Sequence, residues 1–300
     1  LSGGNAEVLA ATAVNALKHL EGRFEFREAA ELAQRSIAQL DALGVTPSVR
    51  LLSTTAARLQ AVGEVQRASE LRTRALNAAE EGKADNLEDH GVVLVDEARA
   101  LQEQGRPEEA MRCLEGARRL LSGKREQAIV LGEIARILQA KGEVDQALEL
   151  HKERLQVYES LRDKRGRAVT LGDIARILNA KGEVDQALEL HQEALKVYES
   201  LGDPYGIAHA HWSMGQIKLQ KQQWQEAFNH LSEAYTLTIR LGRLDGICCV
   251  GLELGRLLYA AGHHEEGQPI LIRCRDGFRK LGQEAMVLQV EEILRDHGGQ

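Results

Sequence analysis

The sequence predicts an all-α fold, a solenoid of about seven helical hairpins finished by a C-terminal capping helix, and three observations carry the prediction. The stretch from Leu131 to Ser160 returns at Leu171 to Ser200 with five of thirty positions changed, an offset of 171 − 131 = 40 residues. Self-similarity at such a period marks units that bury their hydrophobic faces only by stacking on one another. The composition suits helices, with 43% hydrophobic and 28% charged residues against 4% aromatics and four prolines. Few β-branched runs compete for strands. Glycines recur where a chain must turn between two helices, because glycine accepts the left-handed backbone at a helix end.

The turn markers are Gly22, Gly63, Gly105, Gly142, Gly182, Gln222 and Gly262, at steps of 41, 42, 37, 40, 40 and 40 residues. Seven helix–turn–helix units therefore run from about Asn5 to Lys280, and residues 1–300 read as one elongated domain. Seven residues before the marker stands a small side chain in most units (Ala56, Ala98, Ala135, Ala175, Gly215, Gly255), and another stands five after it (Ala68, Ala110, Ala147, Ala187, Ala227, Gly267). A third series stands twelve after it (Ala75, Ala117, Ala194, Ala234, Cys274), broken by Arg154. Small residues at these places let paired helices approach until ridges fit grooves. The first unit is irregular, with Asn15 at the small position. The segment 283–296 reads as a lone amphipathic helix whose apolar side covers the last exposed face.

These three small-residue series resemble the consensus of the tetratricopeptide repeat. The period of about 40 exceeds that family's common 34, and this longer form is similar to kinesin light chain, to Pins-type adaptors and to the repeat sensors of bacterial signalling ATPases. The resemblance implies a right-handed superhelix with the first helix of each unit lining a concave groove. Six before each marker it places Arg99, Arg136, Arg176, Gln216 and Arg256 in that groove, and three before it Gln102, Gln139, Asn179 and Tyr259. Guanidinium groups bind carboxylates bidentately and amides hold peptide backbone. Nine before the marker, Asp96, Glu133, Asp173 and Glu253 stand three residues ahead of an arginine, a spacing at which acid and base stabilise a helix surface with no ligand involved.

Other chemistry is absent from the sequence. A formal charge of −7 does not suit a general nucleic-acid binder. No apolar run is long enough to span a membrane. Cys113, Cys248, Cys249 and Cys274 lack metal or disulfide-framework spacing, which points to a reducing, cytoplasmic setting and to no metal or cofactor. His209 and Cys249 occupy equivalent positions of adjacent units, the one pairing that could be nucleophilic, but no third group orients them. His151 and His191 take a core position as buried, satisfied histidines. No phosphate-loop, nucleophile-elbow or zincin motif occurs.

The expected function is therefore non-catalytic: a scaffold that recognises a protein or peptide segment with acidic groups in its groove. The alternative is the regulatory sensor of a larger signalling ATPase or effector enzyme whose catalytic part lies upstream, a reading prompted by a chain that begins with Leu rather than Met. Self-association through the near-identical central units is a third possibility.

Overall fold

The computed structural model describes residues 26–81 and 87–296, and every regular element among them is a helix. These are α1 (Phe26–Ala42), α2 (Val49–Ala61), α3 (Val65–Glu80), α4 (Leu87–Glu103), α5 (Pro107–Leu120), α6 (Lys124–Ala140) and α7 (Val144–Ser160). They continue as α8 (Lys164–Ala180), α9 (Val184–Leu201), α10 (Pro204–Gln220), α11 (Trp224–Leu241), α12 (Leu244–Ala260), α13 (His264–Lys280) and α14 (Glu284–Asp296). The fold is an all-α helical solenoid. Six complete hairpins pair α2 with α3, α4 with α5, and so on to α12 with α13. Helix α1 is the second helix of the first unit, whose marker Gly22 lies outside the described residues. Helix α14 packs on α13 and covers the last hairpin with Met286, Val287, Val290, Ile293 and Leu294.

One local device makes all six hairpins. The residue after each marker donates its amide to a carbonyl five residues back, as in Glu143 to Leu138 (2.9 Å), Glu183 to Leu178 (2.9 Å) and His263 to Leu258 (2.8 Å). This bond closes the helix only if the marker is left-handed, and Gly142 has φ 85° and Gly262 φ 83°. Gln222 adopts the same conformation, φ 57°, without glycine's freedom, and so does Arg162 (φ 54°) in a turn between units.

The predicted small positions are the contact points of the hairpins. Ala135 and Ala147 are fully buried together with Ile177 of the next unit, and Ala175 and Ala187 repeat the arrangement with Ile217. Between units, Asp163 and Asp203 cap α8 and α10 by accepting from the Gly166 and Gly206 amides (2.9 and 3.0 Å). Each also accepts from an arginine of the preceding unit, Arg125 or Arg165, at 2.8 Å. A second row joins the hairpin tips: Lys141 to Glu108 (3.3 Å), Lys181 to Asp145 and Lys221 to Asp185 (both 2.9 Å).

The first helices of successive units touch one another, α2 with α4, α4 with α6 and α8 with α10, whereas second helices make no comparable contact with one another. The side of the first helices is therefore the inner side of a curve. The curvature brings the second hairpin back to the last. A Cβ on Gly63 would lie 2.6 Å from Leu244 Cδ2 and 3.8 Å from Lys280 Cβ. Beside this contact, a cleft of about 1130 Å³ separates Glu31, Arg67 and Glu70 from Arg279 and Lys280.

Candidate functional site

On the inner side, the arginines and acids form a ladder whose rungs pass from unit to unit. Each arginine is bound to the acid one turn before it: Arg99 to Asp96 (3.1 Å), Arg136 to Glu133 (3.3 Å), Arg176 to Asp173 (2.9 Å) and Arg256 to Glu253 (4.0 Å). Two of them also reach the acid of the following unit, Arg99 to Glu133 at 2.9 Å and Arg136 to Asp173 at 3.5 Å. Ser53 of α2 extends the ladder backward by donating to Asp96. The spacing fixes this pattern: positions −9 and −6 lie one helical turn apart, and the solenoid step sets position −6 beside position −9 of its neighbour.

Glu133 and Asp173 are buried, yet charged. Burial raises the Glu133 carboxyl, but Arg99 and Arg136 outweigh it and leave it below its ordinary value. Burial likewise opposes ionisation of Asp173, and Arg136, Arg154 and Arg176 hold it far below the usual carboxylate range. Asp96 shows the opposite balance. Its burial prevails over Arg99 and Ser53 and pushes its carboxyl up. The arginines themselves stay half exposed, with side chains 46% accessible at Arg99, 36% at Arg136, 46% at Arg176 and 51% at Arg256. Part of each arginine side chain therefore stays open to solvent on this face.

Arg154 takes part in the ladder in a way that the sequence did not reveal. It replaces the small residue twelve after the marker and lies buried against Asp173 of the next unit at 2.7 Å. Its guanidinium occupies the space that a Cβ on Gly132 would fill, 2.8 Å from that position. The signal was the pairing of a break in the small series with an acid nineteen residues on, visible only once the hairpins are stacked.

Gln102 and Asn179 are half-buried, and Gln102 Nε2 and Asn179 Oδ1 are buried without a hydrogen bond. Gln139 and Gln216 are also half-buried. Tyr259 is a correction: it is 6% exposed, within the α12–α13 core, and meets His264 edge to face at 4.9 Å. Its large ring gains more from burial than from the groove surface, so it is not available to a ligand as it stands.

The histidines cluster near Asp173. His151 and His191 are buried as expected, but His151 is not satisfied, because neither ring nitrogen has a partner. Burial pushes both imidazoles down to about 4, and His209 likewise. His209 lies edge-on to Trp212 at 6.0 Å. It forms no hydrogen bond with Cys249, whose thiol burial pushes up to about 11; a thiol so protonated is a poor nucleophile at neutral pH. Among the described residues no group of three or more potential metal ligands occurs, and no helix is long and apolar enough to cross a membrane.

A tetratricopeptide repeat model matches residues 126–200 and again 166–240, the two matches displaced by the same 40 residues as the internal duplication. Residues 126–240 carry tetratricopeptide repeats. The hairpins outside 126–240 continue the same architecture. Among solved structures, a Rap protein complexed with competence and sporulation factor is 16% identical, with a TM-score of 0.68 over 94% of this chain and 80% of that one. Aspartyl phosphate phosphatase F from Bacillus subtilis is 12% identical, with a TM-score of 0.57 over 95% and 78%. A STAND signal transduction ATPase with a tetratricopeptide repeat sensor, from Pyrococcus horikoshii, is 14% identical, with a TM-score of 0.63 over 97% of this chain but 42% of that one. At these identities the likeness is one of fold. No curated protein matches the sequence. The repeats place the chain among protein-interaction scaffolds.

Proposed function

We propose that this tetratricopeptide-repeat chain is a non-catalytic scaffold whose inner face binds an extended segment of a partner protein or peptide through its acidic groups. The observation that carries this reading is the ladder itself: partly exposed arginine side chains at Arg99, Arg136, Arg176 and Arg256, held in register by acids of their own and neighbouring helices. Side chains fixed by packing and ion pairs lose little freedom on binding, so their contacts are retained as affinity. A Rap protein of similar fold was solved in complex with competence and sporulation factor, which supports a binding role for such a solenoid.

The test is site-specific photo-crosslinking. A crosslinker at Gln139 or Asn179 should capture a partner that one at Arg118 on an outer helix does not, and Arg136→Glu with Arg176→Glu should lower capture at least ten-fold. Equal capture from both faces, or by the double variant, refutes the assignment.

A second reading has one observation in its favour. The STAND ATPase aligns with nearly all of this chain over less than half of its own length, as it would if this chain were the sensor part of a larger effector. Under that reading the ligand acts by changing the solenoid's curvature. Small-angle scattering with and without partner distinguishes the two, since a passive scaffold keeps its radius of gyration.

A further inference from the structure

The hairpin of α10 and α11 departs from its siblings at both ends of one contact. Eleven residues before the marker and eight after it, the other units pair Leu52 with Leu71, Leu94 with Cys113, Leu131 with Leu150 and Leu171 with Leu190. Leu52 and Leu71 share one apolar cluster, as do Leu94 and Cys113, and Leu171 and Leu190. In α10 and α11 the same two places hold His211 and His230. Their Nδ1 atoms lie 2.9 Å apart, with ring centroids at 5.1 Å and planes at 45°. Both residues are half-buried. Exchanging a leucine contact for two imidazoles gives up apolar burial and returns a single hydrogen bond. Burial pushes both imidazoles down, and His230 is lowered further by His211 itself. Both are therefore neutral near pH 7, and each Nδ1 offers a lone pair whenever its ring carries the proton on Nε2. Glu199 and Glu233 act on His211, and Glu226 on His230, while Lys218 near His230 is held by Glu226 at 2.6 Å. These surroundings favour added positive charge.

We infer that His211 and His230 form a two-imidazole site for a divalent transition-metal ion, Cu2+ before Ni2+ and Zn2+, with water in the remaining coordination positions. Imidazole nitrogen suits these ions, and affinity peaks at Cu2+. With metal–nitrogen bonds of about 2.0 Å, nitrogens 2.9 Å apart subtend about 90° at the metal, the cis angle of tetragonal Cu2+ and Ni2+. A tetrahedral ion would need the two nitrogens spread to about 3.3 Å. The ion takes the place of the shared proton. Each imidazole then carries its proton on Nε2 and turns its Nδ1 lone pair to the metal, so no proton is released. Bound there, the ion ties α10 to α11. The ligands stand nineteen residues apart on two helices, which leaves no spacing motif in the sequence.

Electron paramagnetic resonance of the full chain with one equivalent of Cu2+ tests the site, and titration calorimetry gives the affinity. His211→Leu with His230→Leu installs the leucine pair of the α8–α9 hairpin and should keep the fold. His230→Gln, which keeps a polar side chain in place, serves if it does not. His263→Gln with His264→Gln controls for two adjacent exposed histidines. Wild type should give an axial spectrum with two equatorial nitrogens. The double-leucine variant and His230→Gln should each lose that signal and ten-fold or more in affinity, whereas the His263 and His264 control should change less than three-fold. Cu2+ should also raise the urea midpoint of wild type and not that of the double-leucine variant, because an ion held only by the folded chain stabilises it. Cu2+ held equally by the double-leucine variant and by His230→Gln is adventitious and overturns the site. A wild-type chain that binds no Cu2+, or binds it through fewer than two nitrogens, overturns it as well.

Discussion

Replacing Arg154 by alanine makes the fourth unit resemble the fifth, and the near-duplication supplies an internal control for the consequences. Arg154 and Asp173 are each buried, and their 2.7 Å pair is one of three that neutralise the aspartate. Breaking a buried pair costs about 3–5 kcal/mol. Asp173 retains Arg176 at 2.9 Å and Arg136 at 3.5 Å, so the lower end, about 3 kcal/mol, is expected. The decisive measurement is its coupling to Gly132. An alanine there would set its methyl 2.8 Å from the Arg154 guanidinium carbon. The guanidinium cannot retreat without lengthening its bond to Asp173. Overpacking of this kind costs about 1–3 kcal/mol, against about 0.5–1 kcal/mol gained by replacing a helical glycine with alanine. Gly132→Ala should therefore destabilise the wild type and stabilise the Arg154→Ala protein. Gly172→Ala, where the nearest side-chain atom is 4.0 Å away, should stabilise by about 0.5–1 kcal/mol. Urea unfolding followed by circular dichroism reads all four proteins of the cycle, with the slopes compared because long arrays can depart from two-state behaviour. The same sign for Gly132→Ala in both backgrounds would refute the reasoning.

Other outcomes can be checked on the same apparatus. Gln222→Gly and Arg162→Gly remove non-glycine residues from left-handed backbone and should each stabilise by about 1 kcal/mol; a loss in both would mean the turns are not left-handed. Stability should fall between pH 6.5 and 4. His151, His191 and His209 stay neutral in the folded protein down to about 4, while in the unfolded chain they take up protons near the ordinary value of about 6.5. Each contributes a loss of at most about 1.4 kcal/mol per pH unit within that window, and His151→Gln with His191→Gln should flatten the slope. Gly166→Ala should destabilise, because its methyl would overlap the Tyr158 ring; thermal unfolding reads this directly.

Features set within one hairpin were legible in the sequence, and those set between hairpins were legible in part. The turns followed from glycine spacing, and Gln222 was found by register although its side chain argues against the conformation. The acid–arginine pairs within a helix followed from their i, i+3 spacing. Their second bonds to the neighbouring unit did not, because that juxtaposition depends on the solenoid step and not on local pattern. Arg154 looked like a defect in the small-residue series until the stack set Asp173 opposite it. Tyr259 was assigned to the groove by position alone, and the reading failed because a phenol ring has more area to bury than the amides at equivalent places. His151 was placed correctly in the core, but its lack of partners depends on side chains from three helices.

The return of Leu244 to Gly63 changes what kind of object the array is. A line of units has two loose ends, and each end unit, with one neighbour, frays before the middle does. Here the line is bent into a hoop with a clasp. Neighbouring hairpins are joined along whole helices, while the clasp joins Gly63 to Leu244 and Lys280 across the edge of a cleft of about 1130 Å³. Any force that spreads the hoop, whether thermal or exerted by something entering it, meets least resistance at that joint. The array therefore has a narrow closing contact as well as its broad stacking ones, and its end hairpins are braced by each other as well as by their neighbours in sequence.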